Sequence, residues 1–205
     1  MDKGSTLIGT EVLDFDMSFK WSKKLLQAIN KKYFIPDTIK RINFYRIEDT
    51  DTDNVINFIK VSINHDITGI GINVEAIDTC EDFKMEAKPY VQAIVEAAKR
   101  ETNALVIAQY IDLHYLDVTS SDIESILTTF PNLSDQLSLV GSELIISSPI
   151  ILPNIKYKLQ KLDLTETNIS SLNGEEDGAR NLIDMINNSQ LKDSLQEISR
   201  WKSNC

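Results

Sequence analysis

The chain has 205 residues, is 42% hydrophobic and 25% charged, and carries a net charge of −10. These values suit an ordinary folded protein with one core and exclude a chain disordered throughout. The acidic balance excludes a general nucleic-acid binder, which needs a basic stripe to displace counterions, and a protein that adsorbs to anionic lipid.

Seven glycines and five prolines leave little material for long linkers. The two cysteines, Cys80 and Cys205, cannot supply the stapled caps common in secreted repeat domains. Met1-Asp2-Lys3-Gly4-Ser5 lacks a basic segment followed by an apolar run, and nowhere is there an apolar stretch of roughly 18 residues. A cytoplasmic location without membrane contact is therefore expected. The acidity serves solubility, and it favours a basic protein partner over an acidic one.

Residues 18–32 read as a helix, because Trp21, Leu25, Ala28 and Ile29 follow the 3.6 period with basic residues between them, and Pro36 stops it. Residues 1–38 are expected to form an N-terminal helical cap on a body of residues 39–205, all within one structural domain. Strand-like runs follow at 39–44, 67–74, 104–108, 136–139 and 160–164, with another near Leu195. Amphipathic helices lie between them. The first, 53–63, groups Val55, Ile56, Ile59 and Ile63 behind a cap at Asp51 or Thr52. The next, 85–101, groups Tyr90, Val91, Ile94, Ala97 and Ala98. Ser121-Asp122-Ile123-Glu124 has the form of a capping box and opens a helix with Ile123, Ile126, Leu127 and Phe130 together. Residues 145–157, with two prolines, read as an extended return. Residues 177–187 group Ala179, Leu182, Ile183 and Ile186. The runs 104–108 and 113–118 compete for the third strand. The first is favoured, since the capping box directly follows the second.

One pattern organises these runs. Leu159-x-x-Leu162-x-Leu164-x-x-Thr167-x-Ile169 places apolar residues at offsets 0, 3, 5 and 10, which fits neither a plain helix nor an alternating strand. Leu113-x-x-Leu116-x-Val118-x-x-Ser121-x-Ile123 repeats it, as does Ile67-x-x-Ile70-x-Ile72-x-x-Glu75-x-Ile77. Leu137-x-Leu139-x-x-Ser142-x-Leu144 and Ile39-x-x-Ile42-x-Phe44 repeat parts of it. From residue 39 to 199 the chain resembles the ribonuclease-inhibitor-like class of the leucine-rich repeat family, with Thr167 where Asn or Cys is usual and with irregular spacing. The resemblance implies an α/β solenoid: a parallel sheet of about five or six strands with helices on its convex side. The alternative is a compact doubly wound α/β domain.

Side chains alternate along a strand, so the residues between the buried positions face outward. That gives Arg41, Asn43 and Tyr45, then Gly71 and Asn73, then Gln136, Ser138 and Val140, then Lys161, Asp163 and Thr165. Tyr115 and Asp117 join them only if 113–118 is the strand. Arg41, Asn43, Tyr45, Asn73, Gln136, Ser138, Lys161, Asp163 and Thr165 are the candidate partner-binding residues. The expected core is Leu116, Leu137, Leu139, Leu159, Leu162, Leu164 and Ile169 with Ile123, Leu127 and Ile183. Ile198 and Trp201 either cap the C-terminal edge or leave it open for self-association.

No catalytic motif stands out. Asp49, Asp51 and Asp53 alternate like the start of a calcium loop, but Asn54 and Lys60 stand where that loop needs Gly and Glu. His65 and His114 lack nearby Cys or His ligands. No phosphate-cradling glycine loop is present, and Gly69-x-Gly71 reads as small residues on a strand. The expectation is a non-catalytic protein-interaction module without metal or cofactor. The alternatives are a carboxylate-based hydrolase and a structural subunit of a larger assembly.

Overall fold

The computed structural model describes residues 11–32, 35–63, 66–74, 85–100, 108–171 and 175–199. In chain order the first half contains β1 (Val12–Asp16), α1 (Lys20–Lys32), β2 (Arg41–Tyr45), α2 (Asp49–Ser62), β3 (Gly69–Asn73), β4 (Met85–Glu86) and α3 (Lys88–Ala98). The second contains β5 (Tyr110–His114), β6 (Leu116–Thr119), α4 (Ser120–Thr129), β7 (Gln136–Ser138), β8 (Glu143–Ile145), β9 (Lys161–Asp163), β10 (Asn168–Ser170), α5 (Glu175–Asn187) and β11 (Glu197–Ser199). The protein is α/β. Its main sheet has seven parallel strands in the order β1-β2-β3-β5-β7-β9-β11, and a second parallel sheet has the order β10-β8-β6-β4.

The alternation in each strand fixes which face is buried. Ile42, Ile70, Ile111, Leu137 and Leu162 align in register and all are buried, as are Phe15, Phe44, Ile72 and Leu113 in the next row. Phe15 stacks on Phe44 with ring centroids 5.3 Å apart, and Phe58 of α2 meets both edge-on at 5.5 Å. This contact seats α2 on the apolar face. Helix α1 packs on α2, α2 on α3, and α3 on α4, while α5 packs on β10. Gly178 permits that last approach, since a Cβ there would lie 2.6 Å from the Ser170 carbonyl oxygen.

The same turn recurs after four main-sheet strands. Arg46, Tyr115, Gly141 and Glu166 have left-handed backbones, with φ of 54°, 59°, 67° and 57°. Each stands four residues after the second residue of its strand: Ile42, Ile111, Leu137 and Leu162. Past the turn, the residues of the second sheet stack too, with Val118 beside Leu144 and Leu144 beside Ile169. These three hold the offset-10 position once the pattern is read from Ala108, Ser134 and Leu159. The offset-8 residues Ser142 and Thr167 are fully buried. Ser142 Oγ donates to the Leu113 carbonyl at 2.9 Å and Thr167 Oγ1 to the Leu139 carbonyl at 2.8 Å. Each hydroxyl thus satisfies a carbonyl left open where the preceding strand turns away.

Several expectations need correction. The N-terminal segment is not only helical, because 12–16 forms β1 and brings the main sheet to seven strands. Its side chains Phe15, Met17 and Leu26 belong to the common core. Trp21 and Leu25 are exposed, and Ser22 and Leu26 take the buried side of α1. The third strand is neither 104–108 nor 113–118 but Tyr110–His114. Residues 101–107 lie outside the described residues, and 116–119 belongs to the second sheet. Tyr115 therefore occupies a turn and Asp117 the other sheet. The capping box is real but sits earlier: Thr119 Oγ1 accepts from the Asp122 amide, and Asp122 Oδ2 accepts from the Thr119 amide at 2.9 Å. Helix α2 starts at Asp49 with Glu48 as its N-cap. In α5, Leu182 and Met185 are buried while Ile183 is 55% exposed. The other expected core residues are buried, apart from Ile169, which is partly buried against the core. Residues 146–160 contain no helix or strand.

Candidate functional site

The sheet face opposite the helices is polar, and the strand register sets it in rows. One row runs Val12, Arg41, Gly69, Tyr110, Gln136, Lys161, Glu197. The next runs Asp14, Asn43, Gly71, Asp112, Ser138, Asp163, Ser199. Beyond them Asp16 pairs with Tyr45, and Asn73 with His114. Eight of the nine expected residues fall on these rows. Thr165 lies in the turn after β9, exposed. Asn43 and Ser138 are buried rather than presented, whereas Tyr45 is exposed and Arg41 and Lys161 are about one-third exposed.

A hydrogen-bonded network crosses the first half of this face. Asn43 Nδ2 donates to Asp14 Oδ1 at 2.8 Å, Arg41 Nε donates to Asn43 Oδ1 at 3.0 Å, and Arg41 Nη2 pairs with Asp112 Oδ2. The Arg41 guanidinium also lies 5.1 Å from the centre of the Tyr110 ring, a cation–π distance. Arg41 reaches β5 because the intervening strand carries glycine at two of its outward positions, 69 and 71. A Cβ on Gly71 would lie 2.6 Å from Asn43 Oδ1, and one on Gly69 3.2 Å from Arg41 Cγ. Gly69-x-Gly71 is thus the floor of the network.

The second half centres on β5, β7 and β9. His114 Nε2 and Ser138 Oγ are 2.8 Å apart. Burial holds the His114 pKa below its ordinary value, against the pull of Asp163 and with help from Arg41, so the ring is neutral at pH 7. Burial raises the Asp112 pKa to about 6; Arg41 opposes this and Asp163 adds to it. Burial also presses upward on Asp163, but the hydrogen bonds from Thr165 and Lys161 win and its pKa is lowered. Lys161 bridges Asp163 at 3.3 Å and Glu197 at 3.2 Å. A shallow pocket of about 220 Å³ lies beside it, lined by Tyr110, Asp135, Gln136, Gln160, Lys161, Gln196 and Glu197. Small-molecule sites usually span roughly 300–1,000 Å³.

Asp14, Tyr110 and Asp112 escaped the sequence reading, and His114 was weighed there only as a metal ligand. For β5 the signal was present, since Tyr110-Ile111-Asp112-Leu113-His114 alternates polar and apolar. The acidic run behaves as the start of a helix: Asp49 and Asp51 occupy the first turn of α2, and buried Asp51 lies 2.8 Å from Lys23. The charged groups that bear on His114 are Asp163 and Arg41. Cys80, Cys205, His65 and Trp201 lie outside the described residues. Among the described residues no three His, Cys, Asp or Glu side chains are placed to hold a metal, and no helix is long and apolar enough to cross a membrane. No family model, curated protein or solved structure matches the chain.

Proposed function

We propose that the chain is a non-catalytic interaction module, built as a short leucine-rich-repeat-like solenoid, that binds a protein partner on the outward face of its main sheet. The observation that carries the binding site is the polar network from Asp14 to Asp112, laid across a face whose opposite side packs against α2. Arg41, one-third exposed, and exposed Tyr45 stand over a network whose Asn43 and Asp112 are buried, and a prepaid geometry is what a binding surface needs. Support for the repeat architecture comes from a main sheet whose strands follow chain order without reversal, and from left-handed turns at one position after four of its seven strands. A doubly wound sheet would change direction at a switch point. Tyr45, exposed at the rim of the network, is the best anchor type.

The test is a photo-crosslinking amino acid placed at Tyr45 on the face or at Thr165 in the turn after β9, and at exposed Val61 on α2 as control. Crosslinks to one partner from the face positions and not from Val61 support the reading. Crosslinks from Val61 alone overturn it. The 2.8 Å approach of His114 and Ser138 favours a second reading, a nucleophile–base pair for acyl transfer. Labelling of Ser138 by a fluorophosphonate, lost in Ser138→Ala, would move the protein to that class.

A further inference from the structure

We propose that a second copy of this chain adds its β1 to the free edge of β11, so that copies join head to tail and the main sheet runs on from one to the next. The site is the two edges of that sheet, and it stands apart from the polar face between them.

The edges match because the junctions of the sheet share one plan. The first-row amide of each strand donates to the carbonyl of the residue just before that row on the preceding strand. Arg41 donates to Glu11, Gly69 to Lys40, Tyr110 to Thr68, Gln136 to Gln109, Lys161 to Asp135 and Glu197 to Gln160, at 2.9–3.3 Å. Among the described residues β1 and β11 are the outermost strands. By the alternation of a parallel ladder, β1 turns the Val12 amide and carbonyl and the Asp14 amide to its free edge. On β11 the Ile198 amide and carbonyl and the Gln196 carbonyl face outward in the same way. Val12 of a second copy therefore donates to Gln196, Ile198 donates to that Val12, and Asp14 donates to Ile198, which repeats the plan once more. An unpaired edge is a template for such an added strand.

The side chains fit the same register. Continuing the rows sets Glu197 beside Val12, Ile198 beside Leu13 and Ser199 beside Asp14 of the second copy. No like charges stand opposite each other, and Asp14 and Asp16 already hold Asn43 and Arg46. Ile198 is 49% exposed at the end of the buried row, and Leu13 is only partly buried at its start. The flanking charges are complementary. Every charged residue of α1, beside β1, is a lysine, and exposed Lys20 and Lys24 form no ion pair among the described residues. The charged residues of α5, apart from Arg180, are acids. Exposed Asp184 of α5, and Asp193 just before β11, are likewise without an ion pair among the described residues.

The experiment is sedimentation velocity on the whole chain across a wide range of concentration. The expected result is a mass that rises with concentration and passes the dimer, because a head-to-tail pair still carries one free edge of each kind. Val12→Pro and Ile198→Pro each remove an edge amide that the single chain does not use, a position where a strand tolerates proline. Each should weaken self-association at least about tenfold, the equivalent of one lost main-chain hydrogen bond. Mixed together, the two variants should associate again and stop at one copy of each, since the first keeps its β11 edge and the second its β1 edge. If either variant does not fold, Val12→Lys or Ile198→Lys, at sites 41% and 49% exposed, takes its place with the same criteria. A parent chain that stays monomeric throughout would overturn the proposal and leave the edges to a different partner. Association lost in one variant only would overturn it in favour of an edge that pairs with itself. A mixture no more associated than its separate parts would overturn it as well.

Discussion

Arg41 and Asp112 stand two strands apart, on β2 and β5, and their side chains meet across β3 because Gly69 and Gly71 put nothing between them. A main-sheet strand with two outward glycines loses stability, since glycine gives up more chain entropy and packs nothing. The network above it is the compensating feature.

Gly71→Ala should break this arrangement. The new methyl would lie 2.6 Å from Asn43 Oδ1, and Asn43 is tied to both Asp14 and Arg41. The expected cost is about 1–3 kcal/mol. Gly69→Ala, whose nearest contact is 3.2 Å, should cost less. Urea unfolding of the two variants beside the parent checks the order.

Asp112 gives the chain a pH dependence of predictable sign. Its pKa in the folded chain is about 6, above the ordinary 3.8, chiefly through burial. Between those values the folded state keeps a proton that the unfolded state releases, so this group's stabilisation is full below about pH 4 and is lost as pH rises through 6. His114, with its lowered pKa, has the opposite sign, since it favours the fold more as pH rises toward 6.5. The informative quantity is therefore the difference between the parent and Asp112→Asn. From pH 4 to pH 7 the parent should lose roughly 1–3 kcal/mol relative to the variant. A constant difference in urea midpoint free energies across that range would contradict the burial argument.

Thr167→Val keeps the shape and removes the hydroxyl that serves the Leu139 carbonyl. It should lower stability by about 1–2 kcal/mol, while Thr167→Ser, which retains the donor, should lose less. Thermal melts of the pair decide whether the hydrogen bond or the methyl group matters at this position.

Leu162→Ala should cost about 2–5 kcal/mol, because Leu162 is 3% exposed in the core between Leu137 and Ile198. Ile183→Ala should stay within about 0.5 kcal/mol, since Ile183 is 55% exposed. Denaturant midpoints of both variants test the core boundary in α5.

The strands at 41–45, 69–73 and 161–163 were legible because Ile42 and Phe44, Ile70 and Ile72, and Leu162 and Leu164 alternate with polar or glycine residues inside a longer spaced pattern. The third expected strand was misplaced for a definite reason. Leu113 ends one alternating pair with Ile111 and begins another match with Leu116 and Val118, so the spacing alone fits two frames. The left-handed turn at Tyr115 divides them between two sheets. Strand β1 went unseen because its Val12 is exposed and its apolar partners Phe44 and Phe58 are distant in sequence.

By itself the sequence determined which residues alternate, which helices have an apolar face, and hence that strands and helices succeed one another in an α/β chain. Periodicity is a local property, so it survives without knowledge of neighbours. Only the tertiary structure decided the register that lines Asp112, Ser138 and Asp163 into one row, the second sheet, and the side of α1 and α5 that is buried. It also decided that Gly69 and Gly71 form a floor for Arg41 and Asn43. These features depend on contacts between segments tens of residues apart. Strand register and helix rotation follow from the summed packing of both partners, which neither segment specifies alone.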